Sequence, residues 1–235
     1  MRHGRIGFWY RLAVCVIKPF SLAFTKRDWH GQENIPTTGG VIVAANHLTY
    51  LDPLLFGHFV YATGRAPRFL AKSSLFEVPV LKYVFKGANQ IPVFRGTADA
   101  ALALSAAVEA LQSGECVLIY PEGTATRDPE CWPMKARTGV ARLALSSGVP
   151  VIPCAQWGPQ QILKYKSKRL RLLPRKRIQV VAGPPVDLSA YTGRPQDAQT
   201  LREVTELIMS RITELLVELR GGTPPAITFD PKAAA

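Results

Sequence analysis

"VIVAANHLTYLDPLLF", residues 41–56, decides how this chain is read. "VIVAA" (41–45) is apolar at every position, so a strand there has no wet face and both sides of its sheet must be covered. The strand ends near Asn46. Pro53 suits the first position of a helix, which predicts a helix from about Pro53 to Val60 with Asp52 as its N-cap. His47 and Asp52 therefore share one short loop between a buried strand and a helix. On a continuous helix they would point about 140° apart; a turn between them is what lets them meet. Asp52 as a helix cap is the bland reading. In the functional reading its carboxylate holds one imidazole nitrogen and leaves the other free as a base.

Outward from this stretch the pattern alternates. Apolar runs at 68–71, 90–94, 116–120, 149–155 and 177–183 read as strands, and 97–113, 135–147 and 197–220 as helices. This predicts an α/β fold, a mostly parallel sheet with helices on both faces. In the last helix Leu201, Val204, Ile208, Ile212, Leu215 and Leu219 form a packing stripe without chemistry. With 235 residues the chain suits one such domain over 31–221, preceded by a helical membrane-interface segment at 1–30 and followed by a flexible tail at 222–235.

The first 27 residues interleave Arg2, Arg5, Arg11, Lys18, Lys26 and Arg27 with Phe8, Trp9, Tyr10, Phe20 and Phe24, and contain no acid. Cations mixed with aromatics describe N-terminal interfacial helices, and Pro19 is expected to split the segment in two. "LAVCVI" (12–17) is far short of the roughly 18 apolar residues of a bilayer span, and no cleavage site follows it. These features place the expected chain on the cytoplasmic face of the cell membrane, peripheral or monotopic.

Net charge is +12, which calls for an anionic partner, and "LKYKSKRLRLLPRKR" (163–177) alone carries eight Lys/Arg. Anionic lipid headgroups and the phosphates of coenzyme A both fit that segment. No zinc finger, ribonucleoprotein pattern or helix-turn-helix accompanies it, so nucleic acid is not an expected partner. None of the four cysteines stands at C-x-x-C spacing, so neither a metal site nor a disulfide framework is expected.

A base needs something to activate. There is no G-x-S-x-G elbow and no cysteine close in sequence to His47. A substrate hydroxyl in the nucleophile's place gives acyl or phosphoryl transfer to an alcohol. Other strand ends carry suitable groups: "PVFRG" (92–96) presents Arg95, and "YPEGTATRD" (120–128) presents Glu122, Gly123 and Thr124, with Arg127, Lys135 and Arg137 following.

These blocks, together with "VPVIPCA" (149–155), occur in an order that resembles the glycerolipid acyltransferases, specifically the 1-acyl-sn-glycerol-3-phosphate (lysophosphatidate) acyltransferases, over roughly residues 30–190. The resemblance implies that His47 is the general base on the acceptor hydroxyl, with Asp52 orienting it. It implies attack on an acyl thioester, acyl-CoA or acyl-carrier protein, without an acyl-enzyme and without a further cofactor. Arg95, Glu122, Gly123 and Thr124 would bind the glycerol phosphate, and Lys72 in "LAKSSLF" matches a lysine often seen in the family. The third block commonly reads Glu-Gly-Thr-Arg-Ser, whereas this chain has Ala125-Thr126 with Arg127 next. Either Arg127 takes the arginine's place, or the acceptor is another one, such as glycerol 3-phosphate or a different lysophospholipid. A non-catalytic anionic-membrane-binding relative is the remaining alternative.

Overall fold

The computed structural model describes residues 6–93 and 100–231. Seven strands, β1 (Thr25–His30), β2 (Val41–Ala45), β3 (Pro67–Lys72), β4 (Ile91–Val93), β5 (Cys116–Ile119), β6 (Val151–Trp157) and β7 (Lys176–Ala182), form one sheet in the order β1-β7-β6-β2-β5-β3-β4. All neighbouring pairs are parallel except β6 with β7. This is the mostly parallel α/β sheet expected from the apolar runs.

The alternation within β2 and β5 sorts the core. Ile42, Ala44, Val117 and Ile119 point to one face, where they meet α4 (Ala100–Gln112), α5 (Gly139–Ser147) and α7 (Ala198–Arg220). Val41, Val43, Ala45, Cys116 and Leu118 point to the other and meet Leu55, Phe56 and Phe59 of α2 (Asp52–Ala62). Both faces are covered, and every residue of β2 and β5 is buried. Asp197 caps α7 by accepting from the Thr200 amide at 2.8 Å.

At the N-terminal edge of the strands Arg65 is buried and donates to the carbonyls of Pro36, Gly39 and Gly114. That arginine is a loop clamp. The opposite edge, where β2, β3, β5 and β6 end, is left for the site.

Four expectations change. Residues 25–30 are an edge strand, not part of a helical segment; β1 pairs in parallel with β7 from Thr25–Lys176 to His30–Val181. Pro19 does not split the N-terminal helix, since α1 (Phe8–Phe24) runs through it. Its last carbonyls are held by the Thr25 hydroxyl on Ser21 O at 2.6 Å and by Arg175 on Leu22 O at 2.8 Å, which offsets the hydrogen bond that proline removes. Residues 135–138 are not helical: α5 begins at Gly139, and the segment before it is tied down by the Lys135 amide on Phe229 O and the Arg137 amide on Pro121 O. The same Lys135–Phe229 bond, with Lys135 Nζ 3.1 Å from Asp230, ties residues 229 and 230, expected in a flexible tail, to the domain. Among the described residues no helix is long and apolar enough to cross a membrane.

Candidate active site

The loop after β2 does bring His47 and Asp52 together. His47 Nδ1 lies 2.9 Å from Asp52 Oδ2, and Asp52 is fully buried. Asp52 is the first residue of α2 and does not cap it. Its Oδ2 accepts instead from the Leu48 amide and, at 3.0 Å, the Thr49 amide. These bonds tie the turn that a helix would have denied. The His47 ring stacks on Tyr120 at 4.2 Å between centroids, 17° from parallel. Burial pushes the Tyr120 phenol well above its ordinary value, with the Asp52 charge adding to the rise, so the ring beneath the imidazole is neutral. No protein group among the described residues hydrogen-bonds His47 Nε2, and His47 lines the main cavity.

The other described histidines differ. His30 pairs with Asp28 at the surface. His58 has no acidic partner, and burial, with Arg27 and Lys18 adding to it, holds it down at about 4.

The peptide of His47 is gripped by the second loop. Its N–H donates to Glu122 Oε1 at 2.8 Å, and its carbonyl accepts from the Thr126 amide at 2.7 Å. Glu122 Oε2 accepts from the Met134 amide at 2.9 Å. Glu122 is therefore a buried brace between three segments and does not line the cavity. Asn46 and Gln156, both buried, exchange bonds of 2.8–3.1 Å that pin the end of β2 to β6. All of this fixes the backbone that carries the imidazole.

Burial pushes Glu122 up to about 8; the two amide donors oppose the rise and the charges of Asp52 and Asp128 add to it. The folded chain then keeps a proton that the unfolded chain releases near 4.5. The contribution to stability is complete below that value and is lost as pH climbs toward 8. Thermal melts across this window should show falling stability, at most about 1.4 kcal/mol per pH unit. Glu122→Gln, which has no proton to lose, should flatten that slope; an unchanged slope would remove Glu122 as its source.

The cavity is about 750 Å³ and sits at the C-terminal ends of β2, β3 and β5. Ala13, Val14 and Ile17 of α1, Leu54 and Gly57 of α2, and Phe69, Val84 and Phe85 make it largely apolar. Its polar lining includes His47, Lys72, Thr124 and Arg137 beside Gly123, with Lys18, Tyr50, His58 and Gln90 along the remaining walls. Lys72, Gly123 and Thr124 were expected here.

Arg127 is not among the lining residues; its side chain hydrogen-bonds Tyr165. Ala125 is fully buried. Arg95 lies outside the described residues.

Arg137, which the sequence reading left aside, enters the cavity across Gly123. A Cβ on Gly123, whose φ is +74°, would sit 3.3 Å from Arg137 Nε, so glycine both permits the turn and makes room. Immediately after it, α5 begins at Gly139 with no side chain capping it, and Gly139 and Val140 line the same cavity. An arginine beside an uncapped helix N-terminus suits an anion. The signal was present in "RTGVARLALSS" (137–147): a Thr-Gly ahead of the periodic run marks a helix start that leaves Arg137 outside.

This arrangement can hold an imidazole with one ring nitrogen turned to a largely apolar cavity, next to cations. Similar proteins exist. A chloroplastic 1-acyl-sn-glycerol-3-phosphate acyltransferase of Brassica napus is 28% identical over 147 residues, 62% of this chain and 41% of the relative. The enzyme of that name from Borreliella burgdorferi is 31% identical over 143 residues, 60% of this chain and 55% of the relative. This chain thus spans about half the length of those two relatives. The Bacillus subtilis enzyme of the same name is 26% identical over 79% of this chain and 86% of its own. The crystal structure of the 1-acyl-sn-glycerophosphate (LPA) acyltransferase of Thermotoga maritima superposes with a TM-score of 0.67 over 92% of this chain and 81% of that one, at 24% identity, a likeness of fold. The family model Acyltransferase matches residues 26–157, more than half the chain and the whole span from β1 through β6. The chain belongs to the Acyltransferase family.

Proposed function

We propose that this chain moves a fatty acyl group from a thioester to the sn-2 hydroxyl of 1-acyl-sn-glycerol 3-phosphate, giving phosphatidate. The observation that carries the reading is His47: one ring nitrogen is 2.9 Å from the Asp52 carboxylate, the other has no partner among the described residues, and the ring lines a mostly apolar cavity. His47 Nε2 takes the acceptor's hydroxyl proton as its oxygen attacks the thioester carbonyl. The C–O bond forms, the tetrahedral intermediate collapses with C–S cleavage, and the proton passes from His47 to the departing thiolate. Asp52 keeps the Nδ1 proton in place and stabilises the imidazolium in between. No acyl-enzyme is needed: Cys116 and Cys154 are buried in the sheet and out of reach of an acyl donor in the cavity.

Arg137 and the start of α5 take the acceptor phosphate, with Lys72 at the other wall. The apolar stretch between α1 and α2 takes an acyl chain. The outward residues of α1, among them Phe8, Leu12 and Val16, are apolar and exposed, with Arg11 and Lys18 between them and no acid. That face lies in the membrane interface, where both lipid substrates reside.

Acceptor choice is the finer part of the reading, because Ala125 stands where related sequences carry arginine. Thiol release from palmitoyl-CoA and from an acyl-carrier protein, with lysophosphatidate, glycerol 3-phosphate and a headgroup-bearing lysophospholipid offered in parallel, tests it. Release with lysophosphatidate alone is expected. Release with a different acceptor alone would move the specificity, and none with any would favour a non-catalytic membrane-binding role.

A further inference from the structure

Residues 163–175 join α6 (Pro159–Ile162) to β7, and the function proposed above makes no use of their charge. β6 ends and the antiparallel β7 begins at the edge of the sheet that holds His47, so this loop stands on the rim of the site. It is an ordered projection. The Arg171 amide donates to Ile162 O at 2.8 Å, and Leu172 packs against the core on the α2 side. Arg175 donates to Leu22 O and Thr25 O at the end of α1, and Tyr165 packs on Tyr50 at 5.7 Å, within the His47–Asp52 turn. With Leu172 turned inward, its neighbours Leu170 and Leu173 stand 50% and 74% exposed.

Lys164, Lys166, Lys168, Arg169 and Arg171 are exposed around those leucines, and none of the five is in an ion pair among the described residues. No acid occurs anywhere between Glu130 and Asp187. A purely electrostatic partner gives two exposed leucines nothing to do, and an apolar partner gives five unpaired cations nothing to do. A bilayer with anionic headgroups accepts both, the cations at its phosphates and the leucines just below them. Arg175 joins the loop physically to the apolar, acid-free face of α1.

We infer that the 163–175 loop is a docking element for anionic phospholipid bilayers, which inserts Leu170 and Leu173 and seats the mouth of the cavity on the membrane. This deepens the membrane reading of α1 and rests on it.

Co-sedimentation of the full chain with phosphatidylcholine vesicles, with and without phosphatidylglycerol, tests the inference without any turnover. Each cation near the surface is worth about fivefold in partitioning. Lys168→Gln/Arg169→Gln/Arg171→Gln should therefore lose roughly 100-fold on phosphatidylglycerol vesicles and change little on phosphatidylcholine. Leu170→Ser/Leu173→Ser should weaken binding most at high salt, where insertion is what remains. Both variants should turn over soluble substrate in detergent micelles as the parent does, which separates this inference from the acyl-transfer reading. Binding of the triple variant equal to the parent's on both vesicle types would overturn the inference. So would intact vesicle binding with loss of coenzyme A retention or of acyl-carrier protein capture, which would assign the loop to the donor.

Discussion

His47→Ala is expected to lower thiol release by roughly 10²–10⁴-fold while leaving the melting temperature nearly unchanged. The imidazole is held by its Nδ1 bond and by the ring of Tyr120, whereas the turn itself is held through backbone groups of residues 47–49. Removing the ring therefore removes the base and spares the loop. Asp52 separates the two roles further. Its Oδ2 takes all three donors while Oδ1, also buried, has no partner. Asp52→Asn can put its carbonyl oxygen where Oδ2 was and keep the Leu48 and Thr49 amides paired, so it should fold, less stable by about 1–3 kcal/mol for a buried Nδ2 without an acceptor. It should still lose well over tenfold in turnover, because the charge facing the forming imidazolium is gone. Asp52→Ala strands the Leu48 and Thr49 amides in the interior, about 1–3 kcal/mol each, and should lose stability as well. A folded Asp52→Asn chain with full activity would contradict the orienting role.

Arg137→Ala is expected to cost about 10–100-fold in kcat/KM for a phosphate-bearing acceptor, mostly through KM, the range of a lost charge-assisted contact of about 1.5–3 kcal/mol. Arg137→Lys should recover part of it, a point charge replacing a fork. Arg127→Ala should change acceptor KM little, since Arg127 is engaged with Tyr165 and is not among the cavity-lining residues. A monoacylglycerol acceptor, which lacks the phosphate, supplies the control: Arg137→Ala should barely affect its slow turnover. An equal loss on both acceptors would mean that Arg137 supports the Gly123 turn and does not bind phosphate.

The sheet was legible because its central strands are buried on both faces, and such strands announce themselves as unbroken apolar runs. β1 was not. "TKRDWH" is an edge strand with half its side chains exposed, and its cations read as a continuation of the interfacial helical segment. Pro19 misled for a related reason: the groups that rescue the end of α1, Thr25 and Arg175, lie one residue beyond it and 150 residues further along. The His47–Asp52 pair was legible through the strand, the turn and Pro53, although its acid serves the loop and not the helix end. Glu122 was expected at the acceptor phosphate, and instead it is buried off the cavity lining. That its two oxygens go to amides of His47 and Met134 is a tertiary fact no spacing carries. Arg137 was named but given no role, because the apolar period was read back to Lys135 and put it inside a helix, whereas α5 begins only at Gly139.

The central claim is direct transfer to an acceptor hydroxyl activated by His47. Purified protein mixed with acyl-labelled palmitoyl-CoA, first without and then with lysophosphatidate, tests it most directly. The expected result is almost no thiol release and no labelled protein until the acceptor is added. Thiol and labelled phosphatidate should then appear one for one, and both should be abolished in His47→Ala. A burst of thiol before the acceptor, with label retained on the protein, would contradict the account.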